Sequence, residues 1–238
     1  MHWTRTFTSL ALLLATSLSA CAATPTIYTS KPIEGRVVDA NTGKPIEGAV
    51  VMVRWEMWMQ GAKLPGDVYS PKIMETLTDA EGHFSFAGWG PEPVCCGAMD
   101  WNDPEINILA LNYDGIVDKD GSLILSDDPR VRNPNWNGKT FQLEPYPADL
   151  DSDGSDNFHR FESFANGARL GFLKQPQERC GWAKVPLFMG LLLKQIRIFQ
   201  EHNYKDSSIV LDLMINDKEF KENYGCPSPK KYFGGLEK

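Results

Sequence analysis

The chain has no apolar stretch long enough to cross a bilayer as a helix, only four histidines, and fewer basic than acidic residues. Each shortage excludes something. A spanning helix needs about 20 apolar residues, and the run from Phe7 to Leu18 is shorter and is interrupted by Thr8, Ser9, Thr16 and Ser17. With 24 Lys and Arg against 31 Asp and Glu, the net charge of −7 argues against nucleic acid as a partner, because a phosphate backbone requires a basic face. Missing too are a Gly-x-Ser-x-Gly elbow, a phosphate-binding P-loop and either half of a His-Glu-x-x-His helix. The commonest hydrolase and nucleotide chemistries therefore have no motif here.

What is present begins with a leader. Arg5, a short apolar middle and small residues at its end make a secretory signal, to be kept out of the fold. Its end, Leu18-Ser19-Ala20-Cys21, resembles the lipobox of bacterial lipoproteins. That resemblance implies a diacylglyceryl group on the Cys21 thiol, cleavage before it and a palmitate-bearing N-terminus. Each buried methylene contributes about 0.8 kcal/mol, and more than one acyl chain gives stable anchoring. Ala22, where an Asp would retain the protein at the inner membrane, implies the outer membrane of a Gram-negative cell, facing the periplasm or the cell surface. The expected organisation is a signal peptide over 1–20, a lipidated flexible tether over 21–31, a β-domain over 32–146 and a helical region over 147–238.

Four cysteines remain. In an exported chain Cys95, Cys96, Cys180 and Cys226 are expected in disulfides rather than around a metal. Cys180 with Cys226 is the favoured pair, since both flank the C-terminal helical segments; closing that loop stabilises by about 4 kcal/mol in the chain-entropy view. Cys95 and Cys96 either form a strained link with each other or reach across to Cys180 and Cys226.

From Ile33 to about Leu143, short extended runs are broken by turn residues. In "GAVVMVRWEMWM", Ala49, Val51, Val53, Trp55, Met57 and Met59 alternate with Val50, Met52, Arg54, Glu56 and Trp58. A period of two places the first set on one buried face, the second being partly polar, as on a half-exposed one. "KIMETLT", "DAEGHFSFAGW", "EINILALNY", "SLILS" and "KTFQLEP" supply further strands, about seven in all, with Gly, Asp, Asn and Pro between them. "GRVVDANTGKPIEGAVVMV" followed by "TLTDAEGHFSF" resembles the carboxypeptidase regulatory-like family, through Gly35, Val37, Thr42, Gly43, Pro45, Ile46, Gly48, Ala49, Val51, Thr78, Asp79, Gly82 and Phe84. The resemblance implies a transthyretin-like (prealbumin-like) antiparallel β-sandwich. It implies no catalysis, because in zinc carboxypeptidases the module is an accessory to a large catalytic domain for which this chain has no room. "WGPEPVCCGAMDWNDP" departs from the family and reads as a long loop carrying Trp89 and Trp101, binding candidates by their aromatic rings.

The last third is helical by spacing. Phe158, Phe161, Ala165, Ala168 and Phe172 make one apolar stripe, and Phe188, Leu191, Leu192, Ile196 and Phe199 make another after Pro186. "SSIVLDLMIND" is read as a third helix. Before the first stripe, Asp149, Asp151 and Asp153 with Gly154 match the opening of an EF-hand calcium loop. The position that should carry the bidentate Glu holds Arg160, and Glu162 falls two residues late. The segment is therefore read as an acidic linker that caps a helix, with calcium at Asp149, Asp151 and Asp153 as the alternative and no cofactor required.

These observations converge on a non-enzymatic, lipid-anchored binding module for an envelope protein or polysaccharide, including an immunity or inhibitor lipoprotein that neutralises an incoming toxin or enzyme. The alternatives are a metal-dependent envelope hydrolase built on His159, Glu162 and the acidic cluster, or a structural spacer without a partner.

Overall fold

The computed structural model describes residues 25–59, 68–95, 97–100, 104–118, 127–147, 154–173 and 181–202, with isolated positions between 218 and 231. The chain is mainly β, a sandwich with a helical layer on its back. The strands in order are β1 (Thr26–Ser30), β2 (Ile33–Asp39), β3 (Val50–Met59), β4 (Val68–Leu77), β5 (His83–Phe86), β6 (Trp89–Val94), β7 (Gly97–Met99), β8 (Glu105–Leu109), β9 (Ile116–Asp118), β10 (Val131–Arg132) and β11 (Thr140–Leu143). Helices α1 (Gly154–Leu173) and α2 (Pro186–Glu201) follow, separated by a 3-10 turn at Gly181–Lys184.

One layer is a sheet of order β4-β3-β8-β9, with β7 continuing along β3 beyond β8. Its pairs are all antiparallel. Opposite the single Glu56 stand Ser70 and Pro71, because the register shifts between Trp55↔Lys72 and Met57↔Tyr69. Pro71 is tolerated inside β4 because a bulge needs no ladder donor there. The second layer is a three-strand ribbon in two parts, β10-β1-β6 and β11-β2-β5. β1 runs into β2 through Lys31 and Pro32, and β5 runs into β6 through Ala87 and Gly88.

Two expectations change here. The sandwich is not wholly antiparallel, since β1 pairs β10 and β2 pairs β11 in parallel. Such pairs need a long crossover, which the whole antiparallel sheet provides. The tether expected over 21–31 is not a free stalk: Thr26–Ser30 is a strand, held on one side by β6 and on the other by β10, with Tyr28 buried.

The alternation in β3 explains both cores. Val51, Val53, Trp55 and Met57 face the ribbon and pack with Ile33, Val37, Phe84, Phe86, Phe141 and Leu143. Val50 and Met52 face the opposite way, where Phe158, Phe161, Phe164, Phe188, Leu192, Ile196 and Phe199 of the helices cover them. The second face of β3 is therefore buried from Val50 to Arg54 and opens only towards Glu56 and Trp58. Even Arg54 is 1% exposed, its charge met by Glu105 at 2.9 Å and Glu56 at 2.7 Å.

The turns after β2 and before β5 hold by side-chain bonds. Asp39 accepts from the Asn41 and Thr42 N–H groups and the Thr42 hydroxyl, and Gly43 beside it has φ +67°. Thr78 accepts the Ala49 N–H at 2.9 Å and donates to the Ile46 carbonyl at 2.6 Å. Asp79 accepts from the Glu81 and His83 N–H groups, across a turn in which Gly82 has φ +75°.

Candidate functional site

A cleft of about 690 Å³ opens between α1 and the turn leading into β9, lined by Asp114, Gly115, Val117, His159, Arg160, Ser163, Phe164 and Gly167. Its floor follows from local sequence. Phe164 is buried on the inner face of α1 and lies against Gly115, where a Cβ would stand 2.5 Å from the ring. Helical spacing then turns His159, Arg160 and Ser163 towards the opening.

The polar rim is asymmetric. Arg160 Nε stands 3.4 Å from Asp114 Oδ2, and its second amine donates to Asn157 Oδ1 at 3.1 Å. The Arg160 guanidinium also lies 5.8 Å from the Tyr146 ring centroid, a cation–π distance. Burial pushes the Asp114 carboxyl above its ordinary value, while Arg160 and the Gly115 N–H pull it back. Burial, then the nearby Asp114 charge, also pushes the Tyr146 phenol up. His159 Nδ1 faces Glu162 Oε2 at 3.4 Å, the contact that i,i+3 neighbours on a helix surface make. The arrangement offers a cation, an acid, a hydroxyl and an imidazole around an apolar floor, suited to holding a small polar ligand. Asp114, Arg160 and Ser163 were not site candidates in the sequence; the turn "NYDG" ahead of a strand was the one signal for Asp114.

Among the described residues, no three of His, Cys, Asp or Glu are gathered closely enough to hold a metal ion. Asp149, Asp151 and Asp153 lie outside the described residues, as do Cys21, Cys96, Trp101, Cys180, Cys226 and the "SLILS" and "SSIVLDLMIND" segments. Cys95 is disulfide-bonded, and the three cysteines it was expected to choose among are all outside the described residues. Trp89 needs correction. It stands not on a loop but at the start of β6, 7% exposed, edge-on to Trp55 with centroids 5.4 Å apart. Only Trp89 and Val94, the two ends of β6, are buried, and Trp89 packs into the sandwich core against Trp55, so it is a packing residue. Trp55 and Trp136 are buried too, and Trp58 is 41% exposed.

A second groove, about 600 Å³, runs along the outer side of the ribbon between Glu34, Arg36 and His83 and the end of β4 at Thr76 and Leu77. Leu77 is 47% exposed and Leu187, in the first turn of α2, is 41% exposed. Strand alternation puts Leu77 on the same face as Glu75, whose carboxylate receives the Leu187 N–H at 2.9 Å. Both leucines thus lie towards the same end of the molecule.

No protein-family model matches the chain, and no curated protein matches it. Solved structures with partial likeness include a 3-chlorocatechol 1,2-dioxygenase from Rhodococcus opacus 1CP, 14% identical over 51% of this chain with a TM-score of 0.25. Another is a dioxygenase, 19% identical over 35% with a TM-score of 0.21. A third is a 9R-lipoxygenase from Cyanothece PCC8801, 11% identical over 80% with a TM-score of 0.26. The chain spans 62%, 46% and 31% of the lengths of these structures, and at such scores they define neither its fold nor its activity.

Proposed function

We propose that the chain is an outer-membrane lipoprotein, anchored through Cys21, whose sandwich binds another envelope component without catalysis. The observation that carries this reading is exposed Leu77, which lines the groove with Glu34, Arg36 and His83, together with exposed Leu187 towards the same end. Exposed apolar side chains rimmed by polar ones favour a protein partner. A polysaccharide would call for several exposed rings, and among the described residues Trp55, Trp89 and Trp136 are committed to the core while Trp58 alone is exposed. An acidic chain suits a basic partner, including a toxin or enzyme to be neutralised.

The test is capture from envelope extract with the mature chain carrying Cys21→Ser, alongside the same bait with Leu77→Lys and Leu187→Lys. One dominant protein held by the first bait and lost from the second supports the reading. Identical captures by both baits sink it. The cleft around Asp114, His159, Arg160 and Ser163 favours one second reading, an envelope hydrolase. Stoichiometric zinc in the purified protein, together with hydrolysis lost in His159→Ala, would put that reading first.

A further inference from the structure

The place where β1 starts has a consequence for how the molecule sits. Between Cys21 and Thr26 lie only Ala22, Ala23, Thr24 and Pro25. Fully extended, that link reaches about 17 Å from Cys21 to Thr26. The ten residues of β3 are about 33 Å long at strand rise, so the link is too short to let the far end of the sandwich exchange places with the near one.

The near end is well defined. Thr26 pairs with Val94, the last residue of β6. Three residues later Gly97 pairs with Met59, and Ala98 with Trp58. The approach at Gly97 is so close that a Cβ would meet the Trp58 carbonyl. Tyr28 Oη accepts the Met99 N–H at 3.3 Å, and Tyr69 Oη donates to the Cys95 carbonyl at 3.0 Å. The start of β1, the ends of β3 and β6, and all of β7 thus form one tip. The exposed large apolar side chains among the described residues divide between the two ends: Ile27 and Trp58 with this tip, Leu77 and Leu187 at the other.

We infer that this tip rests on the lipid surface, with the Trp58 ring in the bilayer interface. The inference rests on the reading of Cys21 as the lipid anchor. Tryptophan is enriched at that depth because its ring is apolar while its N–H needs a partner. The Trp58 N–H donates to Asp100 Oδ2 at 2.6 Å, so the ring enters without stranding a donor. The acidic balance of the chain makes a zwitterionic surface the fitting one, since an anionic leaflet attracts basic segments instead. Leu77 and Leu187 then face away from the membrane, where an envelope partner arrives.

The experiment uses the full acylated protein in phosphatidylcholine vesicles whose acyl chains carry bromine, a short-range quencher of tryptophan emission. Mass analysis of the N-terminal peptide first reports acyl chains on Cys21. Their absence overturns the anchor and the inference together. With acylation present, the expected result is quenching of the emission component that Trp58→Phe removes. Inserting twenty Gly and Ser residues between Thr24 and Pro25, which leaves every contact of Trp58 in place, abolishes that quenching. Acylated protein whose Trp58 component is equally bright in brominated and plain vesicles overturns the seating while leaving the anchor intact.

Discussion

The carboxylate of Glu75 on β4 lies 2.9 Å from the Phe188 N–H in the first turn of α2, and its other oxygen lies 2.9 Å from the Leu187 N–H. Val185, the residue before the helix, supplies no side-chain cap. A strand more than a hundred residues away therefore performs the capping that a Ser or Asp performs locally in other helices, and the negative charge meets the positive end of the helix dipole.

Replacing Glu75 with Ala removes two charge-assisted hydrogen bonds and is expected to cost about 2 kcal/mol, read as a lower midpoint in urea unfolding. The pH dependence has a definite sign. Burial holds the Glu75 carboxyl above its ordinary 4.5, against the pull of the two N–H groups. A raised folded pKa means the native state binds this proton more tightly than the unfolded state. Its stabilising share is complete below the unfolded value and is lost as pH rises through the folded one. Glu75→Gln should show less loss of Tm than the wild type as pH rises from 4 to about 7.

Gly115→Ala should loosen α1, because the added methyl would stand 2.5 Å from the Phe164 ring. Overpacking of this kind costs about 1–3 kcal/mol. Adding Phe164→Leu to Gly115→Ala should recover part of that loss in a double-mutant cycle. Purely additive effects would show that the two residues do not meet.

Thr78 is 4% exposed, and its hydroxyl serves both the Ala49 N–H and the Ile46 carbonyl. Thr78→Val keeps the shape but strands a buried donor and a buried acceptor, an expected loss of about 2–3 kcal/mol. Thr78→Ser retains the hydroxyl and should lose less. Equal midpoints for the two variants in guanidinium would refute the hydroxyl's role.

Arg54 and Glu105 are a buried pair, 1% and 3% exposed, with Asn107 donating to the second oxygen of Glu105 at 2.9 Å. Glu105→Ala removes the buried one of the two acids paired with the guanidinium and should cost about 3 kcal/mol. Arg54→Met combined with Glu105→Leu removes the charges together and should cost less. Equilibrium unfolding of both variants checks the order.

Much of this was legible in local sequence. The period of two through residues 49–59 marked β3, and the spacing of Phe158, Phe161 and Ala165 marked α1. The Asp39 and Asp79 turns announced themselves, because a short acid side chain that caps its own loop needs no distant partner. β1 was missed for the opposite reason. "TIYTS" has one buried apolar residue, Tyr28, and becomes a strand only because β6 and β10 lie on either side of it. Trp89 was misplaced because the surrounding Gly and Pro residues imitate a loop, while the Trp55 ring that holds it is supplied from 34 residues away.

By itself the sequence determined the mainly β character, the two helices and the turn chemistry, since these depend on side-chain periodicity and on bonds within a few residues. Only the tertiary structure decided which faces are buried. Val50 and Met52 look half-exposed along the strand and are enclosed because α1 and α2 close over them, while Arg54 is buried against Glu105. It alone decided the parallel pairing of β1 with β10 and β2 with β11, the capping of α2 by Glu75, and the meeting of Asp114 with Arg160. Those contacts join residues 46 to 113 positions apart, and their energy appears only after the chain has closed the loops between them.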